Sequence, residues 1–295
     1  MRGELKLLCD SLLAGLRAQY HKQMCDSILG YRSEGTSLSV ADSSSKTSKT
    51  ISELMARNMG FPLCPNPKEG QTAGKLFADY TASFIEDAFK LLSKVRPGNW
   101  IFSTSQADGI DAYEQYEHLG SLAEAVKHSI DMAALLGTGY LVTPDIIVAR
   151  IPITDEELNE DKLIVSETDF VALATPLRAK NFDNPCAILH ASISCKWTMR
   201  SDRAQNTRTE ALNLIRNRKG NTPHIVAVTM EPMPTRIQSL ALGTGDLDCT
   251  YHGALYELHE ATKDSQKEDQ LEVLEQLIAG RRLRDISDLP LDLAV

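Results

Sequence analysis

The sequence has 295 residues and contains no apolar run near the roughly 18 residues that a membrane helix requires, which argues against a helical membrane protein. Its first stretch, "MRGELKLLCDSLLAGLRAQY", has leucines at helical spacing, but Glu4, Lys6 and Asp10 interrupt them. The pattern predicts an amphipathic helix and not a secretion signal. Six cysteines (Cys9, Cys25, Cys64, Cys186, Cys195, Cys249) include no C-x-x-C pair, so neither a disulfide framework nor a structural zinc site is expected. That usage fits a reducing, cytoplasmic setting. The seven histidines form no H-x-x-x-H pair, which removes helix-borne metal ligation of that kind. "GQTAGKL" (70–76) has neither the first glycine of a P-loop nor its final Ser/Thr, because Glu69 and Leu76 stand there. "GTGD" (243–246) lacks the spacing of a dinucleotide fingerprint and reads as a turn.

Net positive charge is also missing, since the chain carries −9. Its distribution is uneven, however. Lys196 to Lys219 holds seven basic residues against two acidic ones, a local +5 that leaves −14 for the rest. Phosphate binding needs a basic face, not a basic protein. A solvated helix face accounts for the same charges equally well.

Apolar residues make up 42% of the chain, enough for a full core. No internal repeat or linker is visible, so one domain over 1–295 is expected, with a helical segment over 1–40, a core over 70–260 and a C-terminal helix and tail over 261–295. Residues 33–50 are rich in Ser and Thr and predict a loop, as does the proline-rich "FPLCPNPKEG". Phe77, Tyr80, Phe84, Ala88 and Leu91 recur at three or four residues, predicting a helix over 72–95, and another is expected over 116–136. "YLVTPDIIVARIPI", "AILHASISCKWTM" and "HIVAVTM" read as strands, with Pro144 marking a bend and "DEELNED" an acidic loop. Helices are expected over 208–218, 251–262 and 268–280. The expected class is α/β with a mixed central sheet flanked by helices.

Three residues carry possible chemistry. Asp145 opens a strand, and alone it reads as a turn aspartate beside proline. Lys196 ends the next strand and shares a face with Ser194, while Cys195 points away. Glu210 follows fourteen residues after the lysine; Thr207 to Glu210 also reads as a capping box that merely ties down a helix start. Together they meet the needs of phosphodiester hydrolysis, which are acids to hold Mg²⁺ and a lysine to orient water and stabilise charge. Next comes Arg200-x-Asp202-Arg203. Arginine pairs with guanine O6 and N7, and aspartate accepts from cytosine N4, so this triplet suits G·C pairs in the major groove.

At this point the chain closely resembles the type II restriction endonucleases of the PD-(D/E)XK nuclease superfamily, in particular the tetrameric enzymes that recognise CCGG. The resemblance runs through "HASISCKWTMRSDRAQNTR", "LNLIRNRKG", "PHIVAVT", "LALGTGD" and "DISDLPLDLAV", with "TPDIIV", "RPGNW" and "GQTAG" upstream, and it weakens before Ala41. It implies a restriction-endonuclease-like core and Mg²⁺-dependent double-strand cutting of GCCGGC before the first C, leaving CCGG 5′ overhangs. It also implies a homotetramer on two DNA copies and a cognate DNA methyltransferase in the same system. By resemblance, Asp145 and the Cys195 carbonyl would hold metal, and Ser194, Lys196 and Glu210 would complete the catalytic group. Arg200, Asp202 and Arg203 would read CCGG, with Ser44 and Gln71 at the outer pair. One departure is clear: where the family carries a glutamate after "GQT-G", this chain has Ala78, with Asp79 beside it. A step of one helical residue turns about 100°, so either Asp79 substitutes through a local shift or Glu210 suffices. Two other readings stand beside the nuclease: a specific DNA-binding protein on the same fold that no longer cleaves, and an assembly protein with a solvated basic face.

Overall fold

Strand β3 (Ile188–Lys196) organises the structure. In this computed structural model the described residues are 11–105, 109–129, 131, 141–183, 185–199, 201–243 and 245–295, and for 201–203 only the backbone is described. Six strands form one sheet in chain order: β1 (Trp100–Ser103), β2 (Ile146–Arg150), β3, β4 (His224–Thr229), β5 (Cys249–His252) and β6 (Leu283–Asp285). β1, β2 and β3 pair antiparallel, whereas β3 to β6 run parallel. The sheet is therefore mixed, as expected.

Helices cover both faces. On one face Ile146, Val148, Ile193, Cys195, Val226 and Val228 pack with Phe77, Phe84, Ile85 and Leu258. The last four come from α3 (Gly70–Leu91) and α8 (Leu255–Asp264), and α1 (Leu12–Ser27) and α2 (Lys46–Met59) add Met24 and Met55 to the same core. On the other, Ile147, Ala149, Ile225 and Ala227 pack with Leu119, Ala211, Leu214 and Leu240. Those belong to α4 (Glu117–Lys127), α6 (Ser201–Asn217) and α7 (Pro234–Ala241), with the short α5 (Asp155–Leu158) between. Strands covered on both sides read as continuous apolar runs, which is why β2 and β4 were legible. α9 (Glu268–Ala279) and the four-residue α10 (Leu289–Asp292) close the chain.

Several local expectations change. The Ser/Thr-rich stretch ends inside α2, where Ser45 caps the helix by accepting from the Ser48 amide. The acidic loop contains α5, started by a capping box of Thr154 and Glu157. Residues 251 and 252 belong to β5 and not to a helix; four buried residues are too few to display a period. The described part of the 116–136 helix ends at Lys127. Above all, α6 begins at Ser201, seven residues before the expected start, so Thr207 and Glu210 lie in its interior and form no capping box. No helix among the described residues is long and apolar enough to cross a membrane.

Candidate functional site

Antiparallel pairing of β2 with β3 sets Ile146 opposite Ile193, which brings Asp145, one residue before β2, to the last turns of β3. Its Oδ2 accepts from the Cys195 amide at 2.7 Å, from Lys196 Nζ at 2.9 Å and from Ser194 Oγ at 3.5 Å. Oδ1 accepts from none of the described residues, and the side chain keeps 32% exposure. Alternation along β3 divides the neighbours. The Cys195 thiol enters the core, where burial raises its pKa well above the ordinary value, while Ser194 and Lys196 turn to the other face. Within a strand a residue's N–H and C=O leave on the same edge. Since the Cys195 N–H faces Asp145, its carbonyl faces that way too.

Helix α6 delivers the second carboxylate. Thr207 and Glu210 are three residues apart and share the face turned to β3. Thr207 Oγ1 lies 3.2 Å from Ser194 Oγ, which fixes the helix against the strand. Burial raises the Glu210 carboxyl pKa; the nearby Lys196 ammonium opposes that shift and Asp145 adds to it. The three charges thus act on one another. Glu210 and Lys196 also line a cleft of about 540 Å³ with Gln71, Arg32, Lys68 and Asn206. Gln71 reaches it from the first turn of α3, a helix seated by Phe77 packed edge-on to Trp197 at 5.4 Å.

The remaining expected residues divide. Ser44 lies on an exposed loop whose amide and hydroxyl both donate to Asp42. The Ser44 hydroxyl comes first in holding the Asp42 carboxyl below its usual range, followed by the hydrogen bond from Arg236 and then the Ser44 amide. Asp42 and Arg236 line a small hollow with Thr198 and Met199, so the Ser44 loop adjoins the exit of β3. Arg200 lies outside the described residues. Asp202 and Arg203 fall in the first turn of α6, with side chains outside the described set. Ala78 is buried in the core, and Asp79 accepts from Thr104 Oγ1 at 2.7 Å and Lys75 Nζ at 3.3 Å.

The sequence reading missed Arg32, Lys68, Asn206 and Thr207 in this region. An earlier helix start would have exposed the last two, because Asn206 and Glu210 then fall four residues apart on one face. The donor set fits a hard divalent cation. Two carboxylates and a backbone carbonyl suit Mg²⁺, which retains waters and takes phosphate oxygens, and need no closed cage. Among the described residues no group of three or more His, Cys, Asp or Glu side chains converges on a metal site.

Comparison with known proteins adds an independent finding. Residues 20–295 match the family model described as NgoMIV restriction enzyme. The chain is also 46% identical over 284 residues to the type II restriction enzyme NgoMIV of Neisseria gonorrhoeae, covering 95% of this chain and 97% of that protein.

Proposed function

Because this chain belongs to the NgoMIV restriction enzyme family and is a type II restriction enzyme, we propose that it makes Mg²⁺-dependent double-strand cuts in DNA at GCCGGC, before the first C, leaving CCGG 5′ overhangs. The observation that carries the chemistry is the joining of Asp145, Lys196 and Glu210 by a strand end and a helix face. Restriction endonucleases generally use a divalent metal ion. Here the Asp145 carboxylate and the Cys195 carbonyl would hold it, with Glu210 near. When bound, such an ion supplies an activated water and neutralises charge on the phosphate.

The chain's own groups do the rest. Lys196 Nζ, anchored 2.9 Å from Asp145 Oδ2, orients the attacking water and stabilises charge on the phosphate oxygens. Ser194 Oγ donates to the same carboxylate and holds its orientation. Glu210 faces the lysine and provides a carboxyl whose pKa is raised by burial, with the Lys196 ammonium opposing that shift. In this reading Arg200, Asp202 and Arg203 read CCGG, and Gln71 and Ser44 meet the outer G·C pair.

The same reading takes 1–295 as one endonuclease domain, supported by a single sheet whose last strand binds the first described helix through Arg17 and Asp285. It places the enzyme in the cytoplasm as a homotetramer on two DNA copies, beside a cognate DNA methyltransferase. An exposed apolar run supports assembly: Leu163, Ile164, Phe170, Val171 and Leu173 all face outward, Phe170 with 93% exposure.

A plasmid with two GCCGGC sites tests the reading beside a one-site plasmid and an EDTA control. Mg²⁺-dependent cutting at those sites, faster with two than with one, is the expected result. Specific binding without cutting would favour the reading in which the fold binds DNA and no longer cleaves, an outcome that Ala78 makes worth testing.

A further inference from the structure

The end of β4 grips the exit of β3 at two points. Thr229 pairs with Lys196 in the parallel register, and its hydroxyl donates to the Lys196 carbonyl at 2.8 Å. Two residues on, Glu231 accepts from the Met199 amide at 2.7 Å through Oε2. Its Oε1 accepts from the Met233 amide at 3.2 Å, and Arg236 Nη1 lies 3.9 Å away. The Glu231 amide itself donates to Thr229 Oγ1 at 3.1 Å. Glu231 is 1% exposed.

This placement is costly unless it serves something. A carboxylate taken out of water loses hydration that two amides and a distant guanidinium replace only in part. An apolar residue of similar size would fill the same space. What it could not do is hold the Met199 N–H, and Met199 is the residue immediately before Arg200-x-Asp202-Arg203. Arg236 adds a second hold on that residue, donating to the Met199 carbonyl at 3.4 Å.

We infer that Glu231 is a positioning residue for specificity: by fixing the Met199 amide, it sets where the Arg200–Arg203 segment begins relative to the Lys196 end of the cleft. Glu231 itself touches neither DNA nor metal. Base reading and cutting are coupled only if the three residues between Lys196 and Arg200 hold one geometry, and Thr229 and Glu231 fasten that short span at both ends. The inference rests on the endonuclease reading of the cleft.

The test compares wild type with Glu231→Gln, which keeps an oxygen for the Met199 amide, and with Glu231→Met, which keeps the bulk and removes the acceptor. Affinity is measured for a GCCGGC duplex, for duplexes changed at one central base pair and for a scrambled duplex, with Ca²⁺ in place of Mg²⁺ and again in EDTA. Melting temperature is recorded for each protein. Glu231→Met is expected to lose about tenfold or more of the cognate-to-mismatch ratio, the scale of one lost hydrogen bond to a charged group. Scrambled-duplex binding should stay unchanged, and Glu231→Gln should remain within about threefold of wild type. An unchanged ratio in a Met variant that is only less stable, or an equal loss on every duplex, overturns the inference. If the Met variant does not fold, Glu231→Asp, one methylene short of the amide, asks the same question: lost discrimination supports the role and wild-type discrimination overturns it. Should wild type itself fail to prefer GCCGGC over the scrambled duplex, it is the endonuclease reading that falls.

Discussion

Two clusters in this molecule have nearly the same composition, one cation and two carboxylates, yet they are built in opposite ways. In the first, Arg17 is bound on both sides. Its Nε and Nη2 donate to Asp285 at 2.8 and 2.7 Å, and its Nη1 and Nη2 donate to Glu257 at 2.8 and 2.6 Å. Asp285, wholly buried, also accepts from the Leu255 and Ser287 amides. Burial alone would raise both carboxyls, but the hydrogen bonds from Arg17 and its charge outweigh it and hold both below their ordinary values. In the second cluster, Lys196 and two neighbours crowd one oxygen of Asp145, the other oxygen accepts from none of the described residues, and burial pushes the Glu210 carboxyl upward. The first cluster has used its bonding capacity on the fold. The second retains capacity, which is what a site that must accept a cation and a phosphate requires.

Breaking each cluster at its cation should separate them most clearly. Lys196→Ala is expected to remove cleavage, a loss of at least about 100-fold in rate, while specific duplex binding and melting temperature stay close to wild type. A parallel loss of binding would sink the catalytic assignment. Arg17→Met should do the reverse. It strands two largely buried carboxylates and costs about 3–5 kcal/mol of stability, read by denaturant unfolding, with cutting by the remaining folded enzyme unchanged. A variant as stable as wild type would show that the Arg17 cluster is not the structural one.

pH sharpens the contrast through Glu231. Burial raises its carboxyl to about 7 from an ordinary 4.5. Below the ordinary value both folded and unfolded chains are protonated; between there and about 7 only the unfolded chain gives up the proton. Stability therefore falls as pH rises through this window, by about 3 kcal/mol in total. Glu231→Gln should flatten that slope. Asp285 has the opposite sign, since its lowered carboxyl contributes stability that is lost on acidification. An unfolding series across pH 4 to 8 whose slope is the same in wild type and the Gln variant would contradict the Glu231 part of this account.

What the sequence disclosed followed the reach of local patterns. Lys196 was legible because Ser194, Cys195 and Lys196 close an alternating run whose period assigns faces. Glu210 was expected in the first turn of its helix, where a capping box competed with a catalytic role; it lies in mid-helix and caps nothing. β5 and β6 were missed because strands of four and three residues have no period to read. Arg17 and Asp285 are 268 residues apart, and the Glu231–Met199 bond depends on strand order, so neither has a local signal. The charge balance singled out a basic segment, yet it could not reveal that Thr207 turns toward Ser194 and away from the helix start.

Smaller effects test the reading segment and then the site itself. Arg203→Ala is expected to cost about 1–3 kcal/mol of discrimination at one base pair, measured by competition between cognate and singly substituted duplexes; an unchanged preference would count against a readout role.

The smallest effect expected is also the most specific to the contrast between the clusters. Glu210→Gln should slow cleavage and yet raise the melting temperature slightly. Its carboxyl pKa is raised by burial, with Lys196 opposing and Asp145 adding, so the folded state disfavours its charged form. Glutamine keeps the shape and removes that cost. The gain should be present at pH 7.5 and disappear below the ordinary carboxyl range, where the wild-type group is protonated whether folded or not. Asp285→Asn, made in the satisfied cluster, should be destabilising at pH 7.5. If Glu210→Gln were destabilising too, Glu210 would belong with Asp285 as part of the scaffold, and the distinction between a spent cluster and an open one would fail at the residue where it is least protected by other bonds.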